Sequence, residues 1–198
     1  SPTGWKQTQV PSGGSRNFLI TVTPGSSATG SYPVLVTAKS DSDPTHVDAI
    51  QAVTTVPDVQ PDLEIKQAGS WLGDGVYNDD GTDQTGTRAV LAGTTAVYLA
   101  RLYNDGDEVE TFCIHGPAGD ANWTVQYFQG TTEVTAQVTS ASGWKRPGVL
   151  PGVYRPFVIK VTPSSGLSSG QRYEVLVRAE SNRDPTQRDT IKAVTRVK

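Results

Sequence analysis

Three stretches in the first third of the chain alternate apolar and polar residues with a period of two. They hold Phe18, Ile20 and Val22, then Tyr32, Val34, Val36 and Ala38, then Ile50, Ala52, Thr54 and Val56. Side chains two apart on a strand share a face, so each stretch predicts a half-buried β-strand. The same alternation returns at the C-terminal end as Phe157, Ile159 and Val161, then Tyr173, Val175, Val177 and Ala179, then Ile191, Ala193, Thr195 and Val197. Residues 4–24 match residues 143–163 at 11 of 21 positions, with a shift of 139. Residues 32–56 match residues 173–197 at 15 of 25, with a shift of 141. The two-residue change falls in a Gly/Ser segment, as a length change in a surface turn does. Intervening positions drift: Thr21 becomes Lys160, Thr37 becomes Arg178, Gln51 becomes Lys192. One face of each strand is held while the other varies.

The chain therefore carries a repeat of about 140 residues. Residues 1–56 read as the last three strands of a partial unit. Residues 57–62 read as a Pro-containing linker, extended and fairly stiff. Residues 63–198 read as a complete unit. Within it, residues 61–67 predict a first strand, and turns at Gly93-Thr94, Asn104-Asp105-Gly106 and Gln129-Gly130 separate further strands, including one over 132–138. Seven to nine short strands with a turn about every ten residues predict an all-β fold, an immunoglobulin-like β-sandwich, with a closed barrel as the alternative.

Composition supports this. Val and Thr favour strands, while 20 Gly and 13 Pro punctuate turns. The net charge is only −3 and basic residues stand singly among acids, which argues against a nucleic-acid partner. No run of 18 apolar residues exists, so no helical membrane span is expected. Ser1 is expected to be a processed start rather than a natural one. The single cysteine, Cys113, excludes an internal disulfide and reads as a buried small apolar group.

The segment "AGTTAVYLARLYNDGDEVETFCIHG" resembles the core of bacterial and archaeal surface Ig-like families related to CARDB and NEW3 domains. Asn104, Gly106 and Phe112 stand where that pattern has its Asn-x-Gly turn and its strand aromatic. The "DPT" turns also resemble those of tandem bacterial surface repeats. The resemblance spans roughly residues 60–198 and implies a non-catalytic, extracellular or cell-surface module of a repeat protein. The insert at residues 70–87 departs from the pattern, so the resemblance assigns it no role.

That insert holds Asp74, Asn78, Asp79, Asp80 and Asp83 on a Gly-rich loop. Clustered carboxylates and amides suit Ca²⁺, which takes six to eight oxygen ligands, although the spacing is not that of an EF-hand. The competing reading is a polar loop of Asx-turns. Asp43-Pro44-Thr45 and Asp184-Pro185-Thr186 suit type I turns, with Asp48 and Asp189 expected to cap them. Trp5 and Trp144 occupy equivalent places and read as anchors closing a sandwich end. His46 is replaced by Gln187, and His115 stands alone; no nucleophile motif accompanies either, so no catalysis is expected. Asn122-Trp123-Thr124 is an N-glycosylation sequon at Asn122, and Ser/Thr-rich turns at residues 26–29 and 164–169 suit O-glycans.

Three strands cannot bury their own apolar face. Phe18, Ile20, Val22, Tyr32, Val34, Val36 and Ile50 are therefore expected to form core with strands from elsewhere. Head-to-tail complementation between copies, giving an extracellular filament or surface array, is the function expected. The alternative is an adhesin or carbohydrate-binding repeat that holds glycans through the 70–87 loop or exposed Trp residues.

Overall fold

A computed structural model describes residues 4–25 and 28–198. The chain divides into two compact units, Ser1–Val56 and Pro57–Lys198.

In the first unit, strands β1 (Gly30–Lys39) and β2 (Val47–Val56) form an antiparallel two-stranded sheet. Each inward position of one strand meets its partner's: Val34 lies opposite Ala52, and Val36 opposite Ile50. Residues 17–24, expected as a third strand, carry no strand. The second unit supplies the reason. There, the equivalent stretch lies in the opposite sheet, between two partners that have no counterpart among the described residues of the first unit. A strand without ladder partners has nowhere to place its N–H and C=O groups except water.

The second unit is nearly all β. Its strands are β3 (Pro61–Gln67), β4 (Ser70–Leu72), β5 (Thr85–Val90), β6 (Ala96–Asn104), β7 (Glu110–His115), β8 (Trp123–Gln129), β9 (Thr132–Glu133), β10 (Trp144–Val149), β11 (Tyr154–Pro163), β12 (Arg172–Ser181) and β13 (Arg188–Val197). They form two sheets, β4-β3-β6-β11-β8-β9 and β10-β7-β12-β13-β5, an immunoglobulin-like β-sandwich. Period-two burial is plain in β6, where Ala96, Tyr98, Ala100 and Leu102 are buried and the residues between them are not. Leu63, Ile65, Tyr98, Phe112, Tyr127 and Ile159 are among the largest side chains of the core between the sheets. β5 pairs parallel with β13, from Lys192 opposite Thr85 to Val197 opposite Val90.

Two local readings change. The stretch 132–138 is a two-residue strand followed by a one-turn helix, α1 (Thr135–Val138). Val134 and Val138 are both buried while Ala136 between them is exposed, as on a helical turn; an extended strand would put all three on one face. Residues 57–62 are bonded into the second unit: Asp105 N–H donates to Gln60 O at 2.9 Å, and Asp107 N–H to Asp58 O at 3.2 Å. Gly106 closes that contact, since a Cβ there would lie 2.5 Å from Asp58 O. No helix of the described residues is long and apolar enough to cross a membrane.

Candidate functional site

The hairpins β1–β2 and β12–β13 share one register. Tyr32 lies opposite Thr54 as Tyr173 lies opposite Thr195, and Ala38 opposite Asp48 as Ala179 opposite Asp189. The turns match too. Asp43 Oδ1 accepts from Thr45 N–H (3.1 Å) and from the Thr45 hydroxyl (2.6 Å). Asp184 Oδ1 accepts from Thr186 N–H (3.0 Å) and its hydroxyl (2.7 Å). Ser40 and Ser181 hydroxyls accept from the N–H of Asp43 and Asp184 at 3.2 and 3.1 Å. The first Asp of each motif, not the later one, caps its turn.

The later Asp does something else in the second unit. Asp189 is fully buried, and its carboxylate gathers the front half of the sandwich. Oδ2 accepts from Leu63 N–H of β3 at 2.7 Å. Oδ1 accepts from Asn78 N–H at 3.1 Å, from Gln84 Nε2 at 2.8 Å and from Thr190 N–H at 2.7 Å. Burial pushes its carboxyl up even so. A second tie runs from Tyr98 of β6, whose hydroxyl lies 2.7 Å from both Val194 O and Thr195 Oγ1.

The first unit keeps these groups without the front half. Asp48 is exposed, and among the described residues its side chain accepts only from the neighbouring Ala49 N–H, at 2.8 Å. Phe18 and Ile50 are each 51% exposed, whereas Phe157 and Ile191 are buried. Tyr32 is exposed; Ile20, Val22, Val34 and Val36 are half-buried. Trp5 meets Phe18 edge-on at 6.4 Å, as Trp144 meets Phe157 at 6.5 Å, yet Trp5 is 69% exposed and Trp144 only 7%. A groove over this face is lined by Trp5, Phe18, Val36, Asp48 and Ile50. Of the residues expected to form core with other strands, Phe18, Val36 and Ile50 line this groove.

A second cluster belongs to the second unit. Asp62, Glu64 and Asp74 each place a carboxylate oxygen within 4.8 Å of the others, and are the residues that could share a metal ion. A cation of the protein's own already stands there: Arg101 Nε and Nη2 reach the two Glu64 oxygens at 3.1 and 2.8 Å. Its guanidinium lies 4.2 Å from the Trp71 ring, 4.8 Å from Tyr103 and 5.4 Å from Tyr154. Asp62 is buried; Oδ2 accepts from Gly75 N–H at 3.1 Å, and Oδ1 has no partner. Burial, aided by Asp105, Asp189 and Glu64, pushes its carboxyl up to about 7.

Of the residues expected to hold Ca²⁺, only Asp74 joins this cluster. Asn78 Oδ1 accepts from Asp80 N–H (3.2 Å) and Gly81 N–H (2.7 Å), an Asx-turn. Asp80 Oδ1 accepts from Thr82 N–H at 2.9 Å, and Asp79 pairs with Arg188 at 2.6 Å. Asp83 takes a positive φ of 62° in the turn leading to buried Gln84. Asn122 is exposed in the turn before β8, its N–H donating to Asp120 Oδ1 at 2.7 Å. Ser26 and Ser27, expected to suit O-glycans, lie outside the described residues. Cys113 is a buried free thiol. Sequence reasoning missed Asp62, Glu64 and Arg101, although acidic residues at i and i+2 opposite an arginine strand were a signal.

No protein family matches the chain, and no curated protein does. Among solved structures, a family 123 glycoside hydrolase from Clostridium perfringens aligns with 58% of this chain and 23% of its own, at 8% identity and a TM-score of 0.38. A PapD-like domain of human CEP192 aligns with 69% of this chain and 83% of its own, at 12% identity and a TM-score of 0.35. BcpA, the major pilin subunit of Bacillus cereus, aligns with 83% of this chain and 47% of its own, at 9% identity and a TM-score of 0.34. The chain thus spans about a quarter of the hydrolase and about half of the pilin. None of these likenesses bears on what this chain binds or builds.

Proposed function

We propose that this chain is a structural part of an extracellular filament or surface array of Ig-like units joined head to tail by β-strand complementation. One observation carries the reading: hairpin β1–β2 matches β12–β13 in sequence and register, and among the described residues its apolar face and both edges are open. In the second unit β7 covers one edge of the β12–β13 hairpin and β5 the other. Equivalent strands of a neighbouring subunit would bond β1 and β2 and cover Phe18, Val34, Val36 and Ile50. Residues 57–138 already complete their own unit, so the incoming front half is an additional one, belonging to a further unit of the same protein. Such a contact uses different surfaces on the two partners and propagates rather than closing. The module is non-catalytic on this reading, and its affinity with CARDB- and NEW3-type surface modules remains part of the proposal.

Electron microscopy of the native protein tests it. Regular fibres or arrays support the reading; dispersed single particles at high concentration overturn it.

The second reading, a carbohydrate-binding repeat, draws on the aromatic group Trp71, Tyr103 and Tyr154, with Tyr154 exposed and 5.3 Å from Tyr103. Glycan binding lost in Trp71→Ala would favour it. Against it, the Arg101 guanidinium already lies over Trp71 and Tyr103.

A further inference from the structure

We infer that Asp48 is the anchor that fixes the register of the incoming front half, accepting hydrogen bonds from two of its backbone N–H groups and from one glutamine side chain. The inference rests on the complementation proposed above and names the residue that would hold the partner.

Asp189 shows what this position does when a front half is present. It takes Leu63 N–H at the start of β3, Asn78 N–H in the insert and the Gln84 amide ahead of β5. These three donors come from separate stretches of the front half, so one carboxylate ties β3, the insert and β5 to β13. The Asp48 carboxylate sits at the same place in its hairpin, opposite Ala38, and keeps the local bond to the next N–H (2.8 Å against 2.7 Å). Its remaining acceptor sites face outward with no partner among the described residues. Nothing in the first unit alone calls for an acid here, because the DPT turn is already capped by Asp43.

The surroundings agree. Thr54 repeats Thr195, whose hydroxyl lies 2.7 Å from that of Tyr98 in the second unit. Ser40 repeats Ser181, whose hydroxyl reaches Glu110 Oε2 of β7 at 3.3 Å. The partner is therefore a polypeptide front half with the pattern of residues 61–115: a strand opening like Pro61-Asp62-Leu63, a glutamine before a parallel edge strand, and an inward tyrosine on the strand that follows.

The test compares the native protein with its Asp48→Ala and Asp48→Asn variants, with Thr37→Ala on the outer face as control. The readouts are the critical concentration for assembly, by sedentation and electron microscopy, and the melting temperature of the unassembled protein. Bonds to a buried carboxylate are among the stronger ones, so Asp48→Ala raises the critical concentration about tenfold or more. Asp48→Asn, which keeps an acceptor but adds a donor, falls between, and the control assembles normally. Melting of the unassembled protein is nearly unchanged, since Asp48 there accepts only from the neighbouring Ala49 N–H. Normal assembly of Asp48→Ala overturns the anchor and leaves complementation standing. A lowered melting temperature in the unassembled protein overturns the neighbouring subunit as the source, because the front half would then belong to the same polypeptide. Absence of assembly in the unaltered protein overturns the complementation reading itself, and the anchor with it.

Discussion

Arg101 is the residue on which the acidic cluster of the second unit depends. Glu64 is almost wholly buried, and both its oxygens are taken by the guanidinium. Removing the cation leaves a buried, unpaired carboxylate, which costs about 3–5 kcal/mol. Arg101→Ala is expected to lower the stability of the second unit by about that amount in urea titrations. Arg101→Lys is expected to recover only part, because an ammonium lacks the fork that meets two oxygens and stacks on Trp71. Asp62 gives a pH dependence. Its folded carboxyl is raised to about 7 from an ordinary value of 3.8, so the folded state holds a proton that the unfolded chain has released. Stability from this group is full below about pH 4 and is lost as pH rises through 7. Asp189, also pushed up by burial, acts in the same direction. Asp62→Asn is expected to flatten the decline between pH 4 and 7 and to be more stable than the unaltered protein at pH 8. An unaltered slope in chemical denaturation would contradict the assignment.

At the scale of elements, two hairpins of the same sequence pattern stand in opposite circumstances. β12–β13 lies between β7 and β5 with its inward residues buried, whereas β1–β2 has only its own ladder. An isolated two-stranded sheet is marginal in water. Amide hydrogen exchange of the isolated chain is therefore expected to be fast throughout Gly30–Lys39 and Val47–Val56. In Arg172–Ser181 and Arg188–Val197 it should be slow, opening only with the second unit. Equal protection in both would mean that the first hairpin is covered within the chain. Much of this was legible in the sequence, because alternation with one face conserved between copies is the direct imprint of a half-buried strand. The pairing was less so. Residues 17–24 and 154–163 share their pattern, but alternation names a face and not a partner, and only the sheet order places β11 opposite β12 and β13. The parallel pairing of β5 with β13 joins residues over a hundred positions apart, and no local signal encodes it. The cluster of Asp62, Glu64 and Arg101 was likewise hidden, since strands that look solvent-facing by pattern are covered there by Trp71 and the insert. Asp189 was visible as a repeated residue, but its role depends on donors from β3, Asn78 and Gln84 that sequence does not bring together.

At the scale of the whole molecule, the account is a count of halves. Among the described residues the first unit has one two-stranded sheet, whereas the second unit has both sheets of a sandwich. Exchanging front halves between copies of these 198 residues would cover one back half only by opening another. On the proposed reading, the assembly supplies one more front half for each open hairpin, bringing the N–H and amide donors for Asp48, a carboxylate for the Ser40 hydroxyl and a tyrosine hydroxyl for Thr54. The most direct measurement is amide hydrogen exchange of β1 and β2 in the native assembled protein against the isolated chain. The account predicts that β1 and β2, fast in the isolated chain, become as protected in the assembly as β12 and β13. Exchange that stays fast in both hairpin strands within the assembly would contradict it.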